Sequence, residues 1–151
     1  MVLVTLGLSV APYQWKGIKM LTGGCFCGAI RYRAGGDPHH LTNCHCAICR
    51  RIAGAPFVTW FSVRRTEFTF VRGTPIRFKS SPKAVRCFCP DCGSQLTFEH
   101  DDSPDEIDIT TCSLDDPNVL PPEDHTHVSS KLAWVELGDG LPAFGEARPA
   151  Q

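Results

Sequence analysis

The most reactive residues of this chain are its cysteines, nine in 151 residues. An odd number of cysteines cannot be fully paired within one chain, and no convincing secretory signal precedes them, so we expect a cytoplasmic, reducing location. In that setting clustered cysteines indicate metal binding or catalysis rather than disulfides. Eight of them fall into three clusters, which are Cys25-x-Cys27, Cys44-x-Cys46-x-x-Cys49 and Cys87-x-Cys89-x-x-Cys92, and the ninth is Cys112.

The first predicted metal site, called here the four-cysteine group, combines Cys25 and Cys27 with Cys89 and Cys92. Zinc binds four ligands in a tetrahedron, and two thiolates separated by two residues can hold one ion from a tight turn. Gly93 follows the second pair and can adopt the left-handed backbone that such a turn needs. A closed four-sulfur site leaves no coordination position for a substrate, so we predict a structural zinc.

The second predicted site, called here the three-cysteine group, consists of Cys44, Cys46 and Cys49. Its spacing leaves two interpretations open. Either Cys87, Cys112 or a nearby histidine completes a second structural zinc, or a catalytic zinc keeps one open position. Zinc with three thiolates has a net negative charge, which makes it a poor Lewis acid and favours the binding or delivery of a thiolate. An iron–sulfur cluster is a further alternative, although the short C-x-C spacing favours zinc.

The elements that must position these cysteines are predicted to be short strands, because apolar or β-branched residues alternate with polar ones. The alternating segments are residues 29–33, 57–63, 67–72, 76–79, 84–88, 95–98, 106–111 and 128–135. Residues 45–53 have a helical pattern, and a further helical turn is predicted at 114–118. We therefore predict an all-β fold, or a mainly β fold with one short helix. It would form a single zinc-binding domain over residues 20–148, preceded by an extension at 1–19 that carries little function.

The charged residues are balanced overall, with 15 Lys and Arg against 16 Asp and Glu, so a globally basic nucleic-acid binder is not indicated. Residues 50–86 nevertheless hold nine basic residues and one acid, whereas residues 87–130 hold eleven acids and no Lys or Arg. One alternative function is therefore a non-catalytic zinc-containing module that binds nucleic acid or an acidic protein through residues 50–86. Redox sensing by the three-cysteine group is permitted but not favoured.

Three stretches around the cysteines carry a resemblance to a known family. They read GGCFCGAIRY at residues 23–32, NCHCAICRR at 43–51 and FCPDCGS at 88–94, and further matching residues lie at 114–117, 129–134 and 139–142. In order and spacing these motifs resemble the glutathione-dependent formaldehyde-activating enzyme family, which also contains centromere protein V. The resemblance covers residues 20 to 146.

The resemblance implies an Mss4-like fold whose sheets are linked by the zinc of the four-cysteine group. It also implies that Cys44, Cys46 and Cys49 hold a second, catalytic zinc with an open position. Because a three-thiolate site lacks a fourth protein ligand, partial occupancy of this second zinc is expected. The implied reaction is the condensation of formaldehyde with glutathione to S-(hydroxymethyl)glutathione, classed as a carbon–sulfur lyase because it is written in reverse. The chain departs from the family at Cys87 and Cys112, which lie outside its zinc motifs, and near His127, where an expected tryptophan is lacking.

Several further residues are candidates for this chemistry. The thiol would bind the open position as its thiolate, the aldehyde would add to or leave from that sulfur, and His45 or a water would transfer the proton. A solvent-facing His45 is the alternative. Arg50 and Arg51 could bind the carboxylates of a glutathione-like ligand, or remain solvated at a helix end. His125 and His127 lie in an acidic, proline-rich segment that is typical of the surface.

The expected partner is a small-molecule thiol or its aldehyde adduct. We expect neither a membrane nor a nucleic acid as partner, because the net charge is -1 and the apolar opening of the chain is too mixed to span a bilayer. The protein is expected to be a monomer or a homodimer.

Overall fold

The computed structural model describes residues 20–149. The predicted extension at residues 1–19 lies outside the described residues, and the boundaries of the single domain stay a prediction. No helix in the described part of the chain is long and apolar enough to cross a membrane.

Ten strands and one α-helix form the regular structure of residues 20–149. The strands are Met20–Gly24 (β1), Arg31–Gly35 (β2), His39–Cys44 (β3), Val58–Arg64 (β4), Phe68–Arg72 (β5), Ile76–Ser81 (β6), Ala84–Phe88 (β7), Gln95–His100 (β8), Glu106–Thr110 (β9) and Asp124–Thr126 (β10). The helix α1 spans Ala47–Ala53, and short 3-10 turns span Arg65–Glu67, Thr111–Ser113, Pro117–Val119 and Val128–Ser130.

The strands form two sheets. The smaller sheet is antiparallel, with the order β1-β2-β5. The larger sheet has the order β10-β3-β4-β9-β8-β7-β6, and its strands are antiparallel except for the parallel pair of β10 and β3. The predicted fold class, mainly β with one short helix, is confirmed.

The hydrophobic core lies between the two sheets. Tyr32 of the small sheet belongs to the same buried cluster as Phe61 and Val63 of β4. Successive side chains of a strand point to opposite faces, so Trp60 and Ser62 of β4 lie on the other face, where both line a cavity. The large sheet therefore uses one face for the core and the other for a candidate binding site.

The strand predicted over residues 128–135 is wrong. That segment begins with the 3-10 turn Val128–Ser130 and continues without regular structure, and its Trp134 is 69% exposed. The backbone of His127 is in the left-handed region, with φ of 56°. The chain turns at that point, and the His127 amide donates to the carbonyl oxygen of Glu146. The alternation of side chains therefore does not correspond to a paired strand.

Candidate metal centres and cavity

The four-cysteine group is assembled from two segments that the fold brings together. The sulfur atoms of Cys25, Cys27, Cys89 and Cys92 all lie within 4.8 Å of one another. The first pair follows β1 and the second lies between β7 and β8, so the contact between Cys27 and Cys89, at 3.7 Å between sulfurs, joins residues 62 positions apart. The sequence prediction grouped the same four residues.

Tight turns and hydrogen-bond donors surround these four sulfurs. Gly93 has φ of 72°, and its amide donates to the Cys89 carbonyl oxygen at 2.9 Å. The Ile30 amide donates to the sulfur of Cys25 at 3.2 Å. A hydrogen bond from the Ser94 hydroxyl lowers the pKa of Cys92 to about 6. Four sulfurs within reach of one ion, with donors that stabilise thiolates, form a donor set that fits structural zinc.

The three-cysteine group lies where β3 passes into α1. Cys44 ends β3, Cys46 is the N-cap of the helix, and Cys49 lies in its first turn, with all three sulfurs within 4.8 Å of one another. The Cys49 amide donates to the Cys46 sulfur at 3.3 Å. Among residues 20–149, no other Cys, His, Asp or Glu joins this group within that distance. Cys87 is fully buried elsewhere, and Cys112 is exposed.

The three neighbouring thiols shift one another's pKa values in opposite directions. The Cys44 and Cys49 side chains, followed by amides of the first helical turn, donate hydrogen bonds to the Cys46 sulfur and lower its pKa. The pKa of Cys44 is raised by the same interactions, to which burial adds. Soft thiolate donors in this number and proximity fit zinc, because a divalent cation can take the place of the thiol protons.

His45, between two of these cysteines, is fully buried and belongs to a chain of hydrogen bonds. Its Nε2 lies 2.9 Å from Nδ1 of His125, and Nε2 of His125 lies 2.8 Å from the carboxylate of Asp139. Because a carboxylate only accepts, His125 donates to Asp139 and accepts from His45. Burial lowers the pKa of His45, and the hydrogen bond from His125 lowers the pKa of Asp139. The ring of His45 also packs on Phe57, with centroids 5.1 Å apart.

The burial of His45 and His125 differs from the surface positions that the sequence made plausible. His45 is 0% and His125 is 2% exposed, whereas His127 is half-buried at the cavity. Neither His45 nor His125 lines that cavity. Asp139 lies in the stretch 139–142 that matches the family, but its pairing with His125, 14 residues away, could not be predicted because it lies in an irregular segment.

Arg50 and Arg51 were candidates for binding a carboxylate. The guanidinium of Arg50 donates to two main-chain carbonyl oxygens, of His45 at 3.2 Å and of Ser130 at 3.0 Å. Arg51 is exposed on α1, and neither arginine lines the cavity. The structure therefore places Arg50 behind the three-cysteine group, where it links that loop to the segment after β10.

A cavity of about 590 Å³ opens on the face of the large sheet that points away from the core. The three-cysteine group lies at one end of it, Trp60 and Phe98 form its apolar wall, and polar residues of β8, β9 and the start of β3 lie at the other end. Such a volume suits a small-molecule ligand. The polar residues at that other end are His40, His100, Ser103, Glu106 and Asp108.

Arg86 of β7 lines this cavity and was missed by the sequence reasoning. It is only 5% exposed, and its guanidinium carbon lies 4.3 Å from the ring centroid of Phe98 and 5.9 Å from that of Trp60. Its Nη2 lies 3.9 Å from the Cys49 sulfur, while Nε and Nη1 have no hydrogen-bond partner in the described chain. A buried cation without a carboxylate is costly, so the thiolates beside it are its natural counter-charge.

Asp108 of β9 is a second polar group on the cavity face. The hydroxyl of Ser62, opposite it on β4, donates to its carboxyl group at 2.6 Å. Burial raises the pKa of Asp108, because the ionised form loses hydration at the floor of the cavity.

Five of the nine basic residues in the stretch 50–86 are engaged by other groups of the protein. Arg65 and Arg77 both pair with Glu99, at 3.2 and 2.9 Å, and Lys83 pairs with Asp102 at 2.8 Å. Arg50 and Arg86 are engaged as described above. The two oppositely charged halves of the sequence thus partly neutralise each other, which weakens the interpretation as a binding module for nucleic acid or an acidic protein.

The chain is similar to known proteins in sequence and in fold. Residues 20–130 match the family model described as glutathione-dependent formaldehyde-activating enzyme. A Halomonas elongata protein, provisionally named as an enzyme of that description, is 30% identical over 128 residues, which cover 78% of this chain and 81% of the relative. An uncharacterized lyase of Schizosaccharomyces pombe is 33% identical over 78 residues, which cover 52% of this chain and 56% of that protein.

A crystal structure of a Rhodobacter sphaeroides protein, a structural-genomics target, has a similar fold. Its TM-score is 0.55 at 19% sequence identity, and the match covers 82% of this chain and 99% of that one. At this identity the likeness shows the fold alone.

Proposed function

Because the chain belongs to the glutathione-dependent formaldehyde-activating enzyme family, we propose that it is a zinc-dependent carbon–sulfur lyase that acts on the aldehyde adduct of a small thiol. The family name supports glutathione as the thiol and formaldehyde as the aldehyde. The observation that carries the proposal is the position of the three-cysteine group, whose three sulfurs lie at one end of a cavity of about 590 Å³.

The two cysteine groups would hold zinc in different ways. The four-cysteine group supplies a full tetrahedral set, whereas Cys44, Cys46 and Cys49 supply three ligands and leave one position to a group from the cavity. Zinc, when bound there, supplies a positive centre that lowers the pKa of a coordinating thiol.

Arg86 is proposed to balance the charge of the three-cysteine group. Three thiolates exceed the charge of one divalent ion, and the guanidinium adjacent to Cys49 offsets the excess. A further thiolate from a substrate adds negative charge at the same end of the cavity, so the buried Arg86 favours it electrostatically. Trp60 and Phe98 hold the guanidinium from the sides and keep water away from it.

The proton must move when the adduct breaks. In the lyase direction the carbon–sulfur bond of the hydroxymethyl thioether breaks, the hydroxyl proton leaves, formaldehyde forms, and the sulfur regains a proton as the free thiol. Water in the cavity is the proposed proton carrier at the three-cysteine group, and Asp108, at the other end of the cavity, is a buried carboxyl group with which that water can exchange the proton. His45 was the predicted catalytic group, and we propose that it instead positions the cysteine loop through His125 and Asp139.

The test is to measure zinc per chain and the catalysed exchange of formaldehyde with glutathione by NMR, in the wild type and in two variants. We expect two zinc ions in the wild type and one in Cys46→Ser, with exchange reduced to the uncatalysed rate. Cys112→Ser is the matched control, because Cys112 belongs to neither group, and it should match the wild type. Full activity in a variant with serine at all three positions 44, 46 and 49 would overturn the proposal.

A further inference from the structure

We propose that His39, His40 and Glu106 form an additional metal site, with two nitrogen donors and one carboxylate, for a borderline divalent cation such as Zn²⁺, Ni²⁺ or Co²⁺. Donor atoms of these three side chains all lie within 4.8 Å of one another. His40 and Glu106 line the same cavity as the three-cysteine group. His40 is four residues from Cys44 along β3, which corresponds to about 13 Å of strand, so the two sites lie at opposite ends.

The backbone of β3 departs from regular geometry at this point. Neighbouring residues of a regular strand point to opposite faces, so His39 and His40 would not reach one carboxylate. Here the register with β4 shifts between His39 and Thr42, and His40 adopts a left-handed φ of 51°, which is uncommon for a residue other than glycine. The irregularity brings both imidazoles to one side, with ring centroids 4.7 Å apart.

The distances between the donor atoms suit a metal ion. Nε2 of His39 lies 2.9 Å from one carboxylate oxygen of Glu106, and Nδ1 of His40 lies 3.8 Å from the other. Two ligands bound at about 2.1 Å and at right angles are about 3.0 Å apart. The distance from His39 to Glu106 therefore already equals that between adjacent ligands. The distance from His40 to Glu106 needs only a small side-chain movement to reach it.

One histidine is also oriented for coordination. Nδ1 of His39 lies 3.0 Å from the main-chain oxygen of Asp37, which can only accept a hydrogen bond. Nδ1 therefore carries hydrogen, and Nε2, which faces the Glu106 carboxylate, is the nitrogen whose hydrogen a metal would replace, as in many carbonyl–histidine–metal arrangements. Imidazole nitrogen with a carboxylate suits zinc, nickel and cobalt better than magnesium or calcium.

The three side chains are accessible to an ion from solvent. The side chains of His39, His40 and Glu106 are 34%, 52% and 35% exposed. An ordinary ion pair between His39 and Glu106 would explain the first distance but not the convergence of the second histidine, which needs an uncommon backbone conformation.

The experiment uses the full chain without a histidine tag, loaded with two equivalents of zinc so that the two cysteine groups are filled and His39, His40 and Glu106 stay free. Ni²⁺ is titrated by calorimetry, and its location is mapped by paramagnetic broadening in NMR spectra. We expect one saturable equivalent that broadens signals of His39 and His40, with the cysteine-bound zinc retained. Glu106→Gln and His39→Gln should weaken the binding by about tenfold or more. His100→Gln is the control, because His100 lies at the same end of the cavity but outside the group.

Two outcomes would overturn the inference. One is broadening centred away from His39 and His40 in the wild type, a result that does not depend on any variant folding. The other is an affinity that Glu106→Gln leaves unchanged or that His100→Gln lowers equally. The experiment measures nickel binding and does not measure lyase activity. Failure of this inference and failure of the proposed function are therefore separate results.

Discussion

The two cysteine groups share one ligand type but differ in how many chain segments supply it and in whether it faces the cavity. The four-cysteine group takes its sulfurs from two segments on different sheets, and none of the four lines the cavity. The three-cysteine group takes its sulfurs from one short segment between β3 and α1, and all three line the cavity. Two joined segments close a coordination sphere and link the sheets, whereas one segment leaves a side open. Under the proposed function, this difference in how the backbone supplies the sulfurs separates the structural site from the reactive one.

The two cysteine groups also differ in the side chains and backbone groups that surround them. Around the four-cysteine group the donors are backbone amides and Ser94. Around the three-cysteine group the neighbours are the buried cation of Arg86 and the hydrogen-bonded chain from His45 to Asp139. The donors around the four-cysteine group only stabilise thiolates. Around the three-cysteine group, Arg86 adds a positive charge, and the hydrogen bonds from His45 to Asp139 orient the loop, and both are features that a reaction can use.

The largest expected effect comes from removing one sulfur from each group. Cys89→Ser should lose the closed site that links the sheets and destabilise the fold by about 4 kcal/mol or more. Cys46→Ser should lose only the second ion and change stability by about 1 kcal/mol or less, since serine keeps the N-cap of α1. Urea denaturation with metal analysis of each variant measures this. Equal losses of stability would mean that both groups are structural.

The next effect concerns the charge beside the reactive group. Arg86→Met should lower kcat/KM by about 100-fold, as loss of one electrostatic contact in a site commonly does. Its stability should stay within about 1 kcal/mol of the wild type, because an apolar side chain replaces a buried, partly unpartnered charge. Arg77→Met, on the adjacent strand β6, is the control and should keep its activity. Undiminished kcat/KM in Arg86→Met would remove Arg86 from the proposed site.

A smaller effect is expected from the chain of hydrogen bonds behind the cysteine loop. Asp139→Ala removes the acceptor that orients His125, and the affinity of the second zinc should fall by about 10-fold. Competition with a chromogenic chelator measures the affinity, and Asp102→Ala, another exposed carboxylate, is the control. If the affinity of the more weakly bound zinc falls equally in both variants, the hydrogen bonds from His45 to Asp139 do not position the cysteine loop.

The smallest effect is the pH dependence of Asp108. Burial raises its pKa in the folded protein, so its protonated form stabilises the fold at low pH. That contribution is fully present below the unfolded pKa, near 3.8, and is lost as the pH rises through the folded value. A carboxyl-carbon NMR titration should show Asp108 ionising at higher pH than Asp102, whose pKa the hydrogen bond from Lys83 lowers. The reverse order would contradict a desolvated Asp108.

The sequence predicted seven of the ten strands of residues 20–149 and missed β1, β3 and β10. The segments at residues 57–63 and 106–111 alternate clearly and correspond to β4 and β9. His39–Cys44 and Asp124–Thr126 contain few apolar residues, so no apolar alternation marks them as strands. They pair with each other at one edge of the large sheet. Conversely, the alternation at 128–135 suggested a strand that the turn at His127 prevents.

The sequence by itself determined which cysteines lie together in one short segment, because their spacings limit where the chain can place each sulfur, and it determined the β-rich class through its alternation. The meeting of Cys25 and Cys27 with Cys89 and Cys92, 62 positions apart at Cys27 and Cys89, depends on the fold. Tertiary structure decided the rest of the site. Arg86 reaches Cys49 only through the order of the strands, and Asp139 reaches His125 only through the path of the segment after β10. Contacts between distant segments depend on how sheets pair and pack, and a single sequence read locally does not contain that information.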